Sequence, residues 1–240
     1  IHVEIYAPYG TNPAELTVAF LEGAGSKIAV GVQVSQNSRM AFNPIWLGLV
    51  EIVRRIQQQP YHWPVGRVIF QKIAYVATRE GLPTGFNYRR GSYGPFSREL
   101  KLGETQLINS NLMQEERLGR MFTVRVGPAF EETKRRYESL LNKYADVIQK
   151  TTDLFMRVDT TQAEILATVL FVAFELKESK KSSVSEMDVL NKVREWKQRR
   201  RPSLDETSVA SAIRNLGMLS WLNVQLDEKL PLPEDAEVYI

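Results

Sequence analysis

The 240-residue sequence has no cysteine and only two histidines, His2 and His62. Without cysteine, disulfides, thiolate zinc sites and cysteine nucleophiles are excluded, and a reducing compartment, the cytoplasm, is the expectation. The two histidines share no ligand spacing, so any metal would depend on carboxylates; neither a metal nor a cofactor is expected. GxSxG, HExxH and GxxxxGK[ST] are missing, which removes the nucleophile elbow, the zincin helix and the P-loop. No catalytic residues are expected, and the chain reads as a non-enzyme. Its longest largely apolar run, Ile165 to Phe174, falls well short of the ~20 residues of a membrane span, and the N-terminus has no signal-peptide pattern. Contact with membrane is therefore not expected. Neither sign of charge dominates: 31 Lys plus Arg face 28 Asp plus Glu, and a net charge of +3 is too mild to impose nucleic-acid binding.

What is present is a chain 43% hydrophobic, enough for one large core or two small ones. It begins at Ile1 rather than Met and runs directly into HVEIY, which predicts a fragment or trimmed chain with sequence upstream. Residues 1–43 hold two strand-like pieces, at 2–6 and 27–34, separated by Gly and small residues; they read as an arm or the remnant of another domain. From Pro44, apolar residues at three- and four-residue spacings predict helices within 44–56 and 66–81, the second stopped by Gly81 and Pro83. Ser97 caps a third helix with Glu99 in its first turn, weakened by Gly103. Leu112 to Arg117 and Arg120 to Val126 form a hairpin hinged at Leu118 and Gly119. Helix, helix, helix, hairpin is the winged-helix order.

One long helix is predicted over 131–150, its Glu131 and Glu132 suited to the positive end of the helix dipole. A core helix follows, opened by a capping box of Thr161 and Glu164 and burying Ile165, Leu166, Val169, Leu170, Ala173 and Phe174. Another helix, a third capped by Asp205, and a strand over 221–226 repeat the order. The expected fold is α+β and mostly α-helical: winged-helix-like units at 44–128 and 159–240, the second carrying an acidic tail, joined by a connecting helix at 129–158.

Two stretches carry binding chemistry. In RRGSYGPFSREL, Arg89 to Leu100, Gly91 and Gly94 permit positive φ and Pro95 fixes the approach to Ser97, so a tight turn explains part of it. Tyr88, Arg89, Arg90, Tyr93 and Phe96 have the aromatic and arginine composition of protein interfaces. A phosphate cradle is disfavoured because no nucleotide-motif lysine follows the glycines. In KQRRRP, Lys197, Arg199, Arg200 and Arg201, with Arg214 on the next helix, are candidate DNA contacts; equally, they could complement a helix dipole in water.

The motifs QKIAYVATREGLPTGFNYRRGSYGPFS, EERLGRMFTVRVGPAFEET, TDLFMRVDTTQAEILATVLF and WKQRRRPSL with IRNLGMLSWLNV together resemble the C-terminal domain of the DarG antitoxins, over about Pro44 to Leu226. The KIAY…YGPF element is also similar to the signature of the wider Panacea antitoxin domains. The resemblance implies a toxin–antitoxin role. In that family DarT ADP-ribosylates thymidine in DNA using NAD, a macrodomain removes the modification, and the C-terminal domain binds DarT directly. It implies a DarT-type toxin as partner, inhibited by occlusion of its substrate site, with Tyr88, Arg89, Arg90, Tyr93 and Phe96 as the contact cluster. HVEIYAP would be the macrodomain's last strand, and no ADP-ribose-binding glycine loop accompanies it, so glycohydrolase activity is not expected. A DNA mimic should be acidic, whereas this chain is slightly basic; mimicry would be local, with Glu115 and Glu116 of EERL and the tail LDEKLPLPEDAE as candidates. The alternative is a winged-helix autorepressor binding operator DNA, and an enzyme ranks last.

Overall fold

The computed structural model describes residues 42–119, 121–179 and 183–233. The strand-like pieces at 2–6 and 27–34 and the acidic residues after Pro233 lie outside the described residues. At Asn43 the side-chain carbonyl accepts the Ile45 N–H at 3.1 Å, and Pro44 occupies a first-turn position where its missing N–H costs nothing. A 3₁₀ turn, Pro44–Trp46, leads into α1 (Leu47–Gln57), whose apolar face is fully buried from Leu47 to Ile56. Helix α2 (Arg67–Arg79) packs beside it. The chain then makes a short hairpin absent from the sequence-based expectation, β1 (Arg89–Gly91) with β2 (Gly94–Phe96), before α3 (Arg98–Asn109) and the expected hairpin β3 (Met113–Leu118) with β4 (Met121–Val126). Gly66 bridges to Thr123, and the Val124 N–H donates to Val65 O at 2.8 Å, tying the start of α2 to β4.

Gly103 does not break α3. A Cβ there would lie 3.1 Å from Phe86 Cζ and 3.3 Å from the Trp46 ring, and those two rings stack with centroids 5.1 Å apart. A helical Gly→Ala change ordinarily stabilises by about 1 kcal/mol. Here Gly103→Ala must displace the stacked pair of buried Phe86 and half-buried Trp46, so it is expected to lower the melting temperature by a few degrees in thermal denaturation followed by circular dichroism.

The single helix expected over 131–150 is three segments, α4 (Phe130–Arg136), α5 (Glu138–Lys143) and α6 (Ala145–Phe155). The joints fall at Tyr137 (φ −113°, ψ 22°) and Tyr144 (φ −111°, ψ 18°), both packed against the first core; Tyr137 meets Phe42 edge-on at 6.4 Å. Backbone bonds from Leu141 to Tyr137 and from Ile148 to Tyr144, both 3.0 Å, carry the run across the joints. Side-chain anchoring thus bends a helix that its local pattern reads as straight.

Helix α7 (Thr160–Ser179) is apolar almost all round, as a helix enclosed on several sides must be. Ala163, Ala167 and Phe171 enter the core formed with α1, α2, α3 and α6. Ile165, Val169, Val172, Ala173 and Leu176 enter a second core with α8 (Glu186–Lys197) and α9 (Glu206–Met218). The box predicted for Thr161 and Glu164 is made instead by Asp159 and Gln162, whose side chains exchange bonds with each other's backbone N–H at 2.8 and 2.9 Å. Glu164 is engaged elsewhere. Ser185 with Asp188 caps α8, and Asp205 accepts the Ser208 N–H at 2.8 Å to start α9.

No strand ladder forms over 221–226: the segment makes one parallel bridge, Ser185 to Gln225, while Leu222 and Val224 lean on the second core. An alternating pattern needs a neighbouring strand to become a sheet, and α8 follows Ser185 at once. The described chain is therefore mostly helical with two small antiparallel two-stranded sheets, an α+β arrangement. No helix among the described residues is long and apolar enough to cross a membrane.

Candidate functional site

The hairpin β1–β2 pairs Arg89 with Phe96, Arg90 with Pro95 and Gly91 with Gly94, and it is held from beneath by side chains of three helices. From α2, Lys72 Nζ donates to Pro95 O at 2.7 Å. The Gln71 amide grips the backbone of Ser97 twice, donating to its carbonyl at 3.2 Å and accepting its N–H at 3.1 Å. From α8, Lys197 Nζ donates to Ser92 O at 2.9 Å and to Glu164 of α7 at 2.8 Å. Arg90 pairs with Glu175 of α7 at 2.6 Å and lies over the Trp196 ring at 5.1 Å. Gly94 adopts φ +88°, and a Cβ there would approach Thr168 Oγ1 to 2.9 Å.

Under the hairpin sits a buried charge cluster. Arg200 meets both Glu164 oxygens at 3.0 to 3.3 Å, so Lys72, Lys197 and Arg200 gather around a single carboxylate. Burial pushes the Lys72 pKa down from 10.5 to about 7, the Lys197 charge adds to that, and Glu164 opposes it. Although burial alone would raise it, the Glu164 pKa is held below the usual carboxylate range by hydrogen bonds from Arg200 and Lys197. Between pH 7 and 10.5 the unfolded chain therefore binds more protons at Lys72 than the folded one, and this lysine's contribution makes stability rise with pH across that window. Urea unfolding of the wild type and Lys72→Met at pH 7 and pH 9 checks this: the rise attributable to Lys72 is expected to vanish in the variant.

Of the interface candidates, Arg89 and Tyr93 face solvent, Tyr93 being 56% exposed. Tyr88 and Phe96 are half-buried; the Tyr88 ring meets Tyr75 edge-on at 5.1 Å, and Arg90 belongs to the clamp. Glu115 and Glu116 lie on the other hairpin, where Arg67 holds Glu115 at 2.5 and 2.7 Å and Arg125 holds Glu116 at 2.9 Å. Among the DNA candidates, Lys197 and Arg200 are committed to Glu164, and Arg214 pairs with Glu186 at 2.7 and 2.9 Å. Arg199 and Arg201 remain exposed, Arg201 bonding the carbonyls of Gln198 and Arg200.

Sequence reasoning missed Gln71, Lys72, Glu164 and Glu175. A signal was present for Lys72: it stands three residues after Ile69 and four before Val76, on the apolar stripe of its helix, where a charge requires a partner. Among the described residues no group of three or more His, Asp or Glu could hold a metal ion. The cluster's ionisable groups are tied to one another or to backbone carbonyls, so the arrangement presents a fixed hairpin rather than a reactive group. No protein-family model matches this chain, and no curated protein sequence matches it.

Proposed function

We propose that this chain is a DarG-like inhibitory module that binds a DarT-type DNA ADP-ribosyltransferase and occludes its substrate site, using the β1–β2 hairpin as its central contact. The observation that carries the reading is the clamp itself: Gln71, Lys72, Lys197 and the Arg90–Glu175 pair hold the hairpin while Arg89 and Tyr93 stand free. A preorganised aromatic and arginine anchor loses little entropy on binding, which is how a few residues come to dominate an interface. The same reading takes α1–α3 with β3–β4, and α7–α9 with the Ser185–Gln225 bridge, as two winged-helix-like units. It ranks above operator binding because Lys197, Arg200 and Arg214 already neutralise internal carboxylates.

The test is NAD-dependent modification of DNA by the purified toxin, titrated with this chain. Inhibition at near-equimolar ratio is expected; undiminished transfer at saturating excess overturns the proposal. Arg89→Glu and Tyr93→Ala should each weaken inhibition about 30-fold, or ~2 kcal/mol, with unchanged melting temperature. Arg90→Glu should lower both, since it places a carboxylate against Glu175. An operator-binding protein would instead show affinity for promoter DNA that falls steeply with salt.

A further inference from the structure

Proline sets the hydrogen-bond phase of the β1–β2 hairpin. Pro95 has no N–H, so the Arg90–Pro95 pair cannot exchange bonds, and the ladder is carried by the flanking pairs Arg89–Phe96 and Gly91–Gly94. Residues between bonded pairs turn their backbone groups outward, Pro95 to one edge of the hairpin and Arg90 to the other.

The two edges differ. On the β2 edge the Pro95 carbonyl is taken by Lys72, and the N–H and carbonyl of Ser97 by the Gln71 amide, which closes that side to another chain. On the β1 edge, among the described residues, no hydrogen bond reaches the N–H or carbonyl of Arg90, nor those of Tyr88 two residues earlier. Arg90 as a whole is exposed, although its side chain pairs with Glu175 and lies over Trp196. An exposed edge with unpaired backbone groups is a template for a further strand.

The side chains beside this edge define which strand it suits. An open groove lined by Asn87, Tyr88, Arg89, Arg98 and Glu99 flanks the start of β1 and of α3. Glu99 accepts the Ser97 hydroxyl at 2.8 Å, and Arg89 and Arg98 make no salt bridge among the described residues. Two guanidinium groups against one carboxylate leave the groove positive, so it favours an acidic side chain over a basic one.

We infer that the β1 edge receives an extended segment of the partner as a third strand, its main chain bonded to Arg90 and an acidic side chain seated at Arg89 and Arg98. The inference rests on the proposed function for the identity of that partner, a segment of the toxin; the edge and its charge preference stand on the hairpin alone.

Amide hydrogen exchange of the full 240-residue chain, followed residue by residue by nuclear magnetic resonance, tests it. In the free chain the Arg90 amide should exchange fast while those of Gly91 and Phe96 are protected. Saturating toxin should slow Arg90 by about tenfold or more. Inhibition that leaves the Arg90 amide as fast as before overturns the inference and leaves the proposed function standing. Failure of the toxin to bind overturns the proposed function, and a peptide then decides the edge. Acetyl-Thr-Val-Glu-Val-Thr-amide at millimolar concentration should slow Arg90 exchange and bind about tenfold more tightly than the same peptide with lysine at its centre. Arg98→Glu, at an exposed position, should reverse the preference between the two peptides without lowering the melting temperature. An Arg90 amide untouched by the acidic peptide, or equal affinity for the two peptides, overturns the inference.

Discussion

Gly94→Val is expected to lower the melting temperature by about 10 °C and to abolish toxin inhibition with it. Two costs add. At φ +88° an L-residue pays for the left-handed region, roughly 1–2 kcal/mol and more for a β-branched side chain. The new Cβ also lands 2.9 Å from Thr168 Oγ1 and 3.3 Å from Lys72 Cε, an overpacking worth about 1–3 kcal/mol. Together these approach 3–4 kcal/mol, and for a domain of this size each kcal/mol moves the midpoint by about 2–4 °C. Gly85→Ala isolates the backbone part, since Gly85 has φ +77° and nothing within 4 Å of a Cβ. Differential scanning calorimetry should find Gly94→Ala clearly more destabilising than Gly85→Ala. Thr168→Ala should recover part of the difference, at little cost of its own, because the Thr168 hydroxyl has no hydrogen-bond partner. Equal effects at Gly85 and Gly94 would contradict the clamp geometry.

The second large effect is expected at Glu164. Its side chain is 2% exposed and, among the described residues, is the carboxylate bonded to both Lys197 and Arg200, whose side chains are 5% and 12% exposed. Removing one partner of a buried ion pair leaves the other's charge uncompensated, typically at ~3–5 kcal/mol. Glu164→Gln should therefore destabilise the chain by that order, and Lys72→Met in the same background should restore some of it by removing a neighbouring cation. The pH dependence has a definite sign. The folded-state pKa of Glu164 lies below its unfolded value, so its contribution is fully present above about pH 4.5 and is lost as pH falls through the folded value. Denaturant unfolding of wild type and Glu164→Gln should show a stability gap that is wide at pH 7 and closes below pH 4.5. A gap that persists unchanged into acid would mean that the carboxylate's charge is not what holds the cluster.

These two sites show how binding and stability are linked here. The residues that would touch a partner, Arg89 and Tyr93, contribute little to the fold. The residues beneath them, Gln71, Lys72, Glu164 and Lys197, are buried and determine where the hairpin stands. Variants at the first pair should separate affinity from melting temperature, and variants at the second should not.

Local physics was readable without any structure. The three- and four-residue apolar spacings of α1, α2, α8 and α9, and the caps at Ser97 and Asp205, depend on neighbours within a turn or two, so the sequence alone determined them. The absence of cysteine and of nucleotide, zinc and nucleophile motifs bounded the chemistry in the same way. The fate of each charge was decided only by tertiary structure. Nothing near Lys197 in the chain shows that its ammonium will reach Ser92 O, 105 residues away, rather than a phosphate, or that Arg214 will close on Glu186. The turn at Gly91 to Gly94 became a paired hairpin because α2, α7 and α8 hold it from beneath. The segment after Trp221 went no further than its one bridge to Ser185 because that residue leads straight into α8 rather than into a strand. The helix through Tyr137 and Tyr144 bent because their rings are anchored in a core built from other elements. In each case the deciding free energy comes from a contact between distant parts of the chain, and a local pattern carries no record of which distant group will arrive.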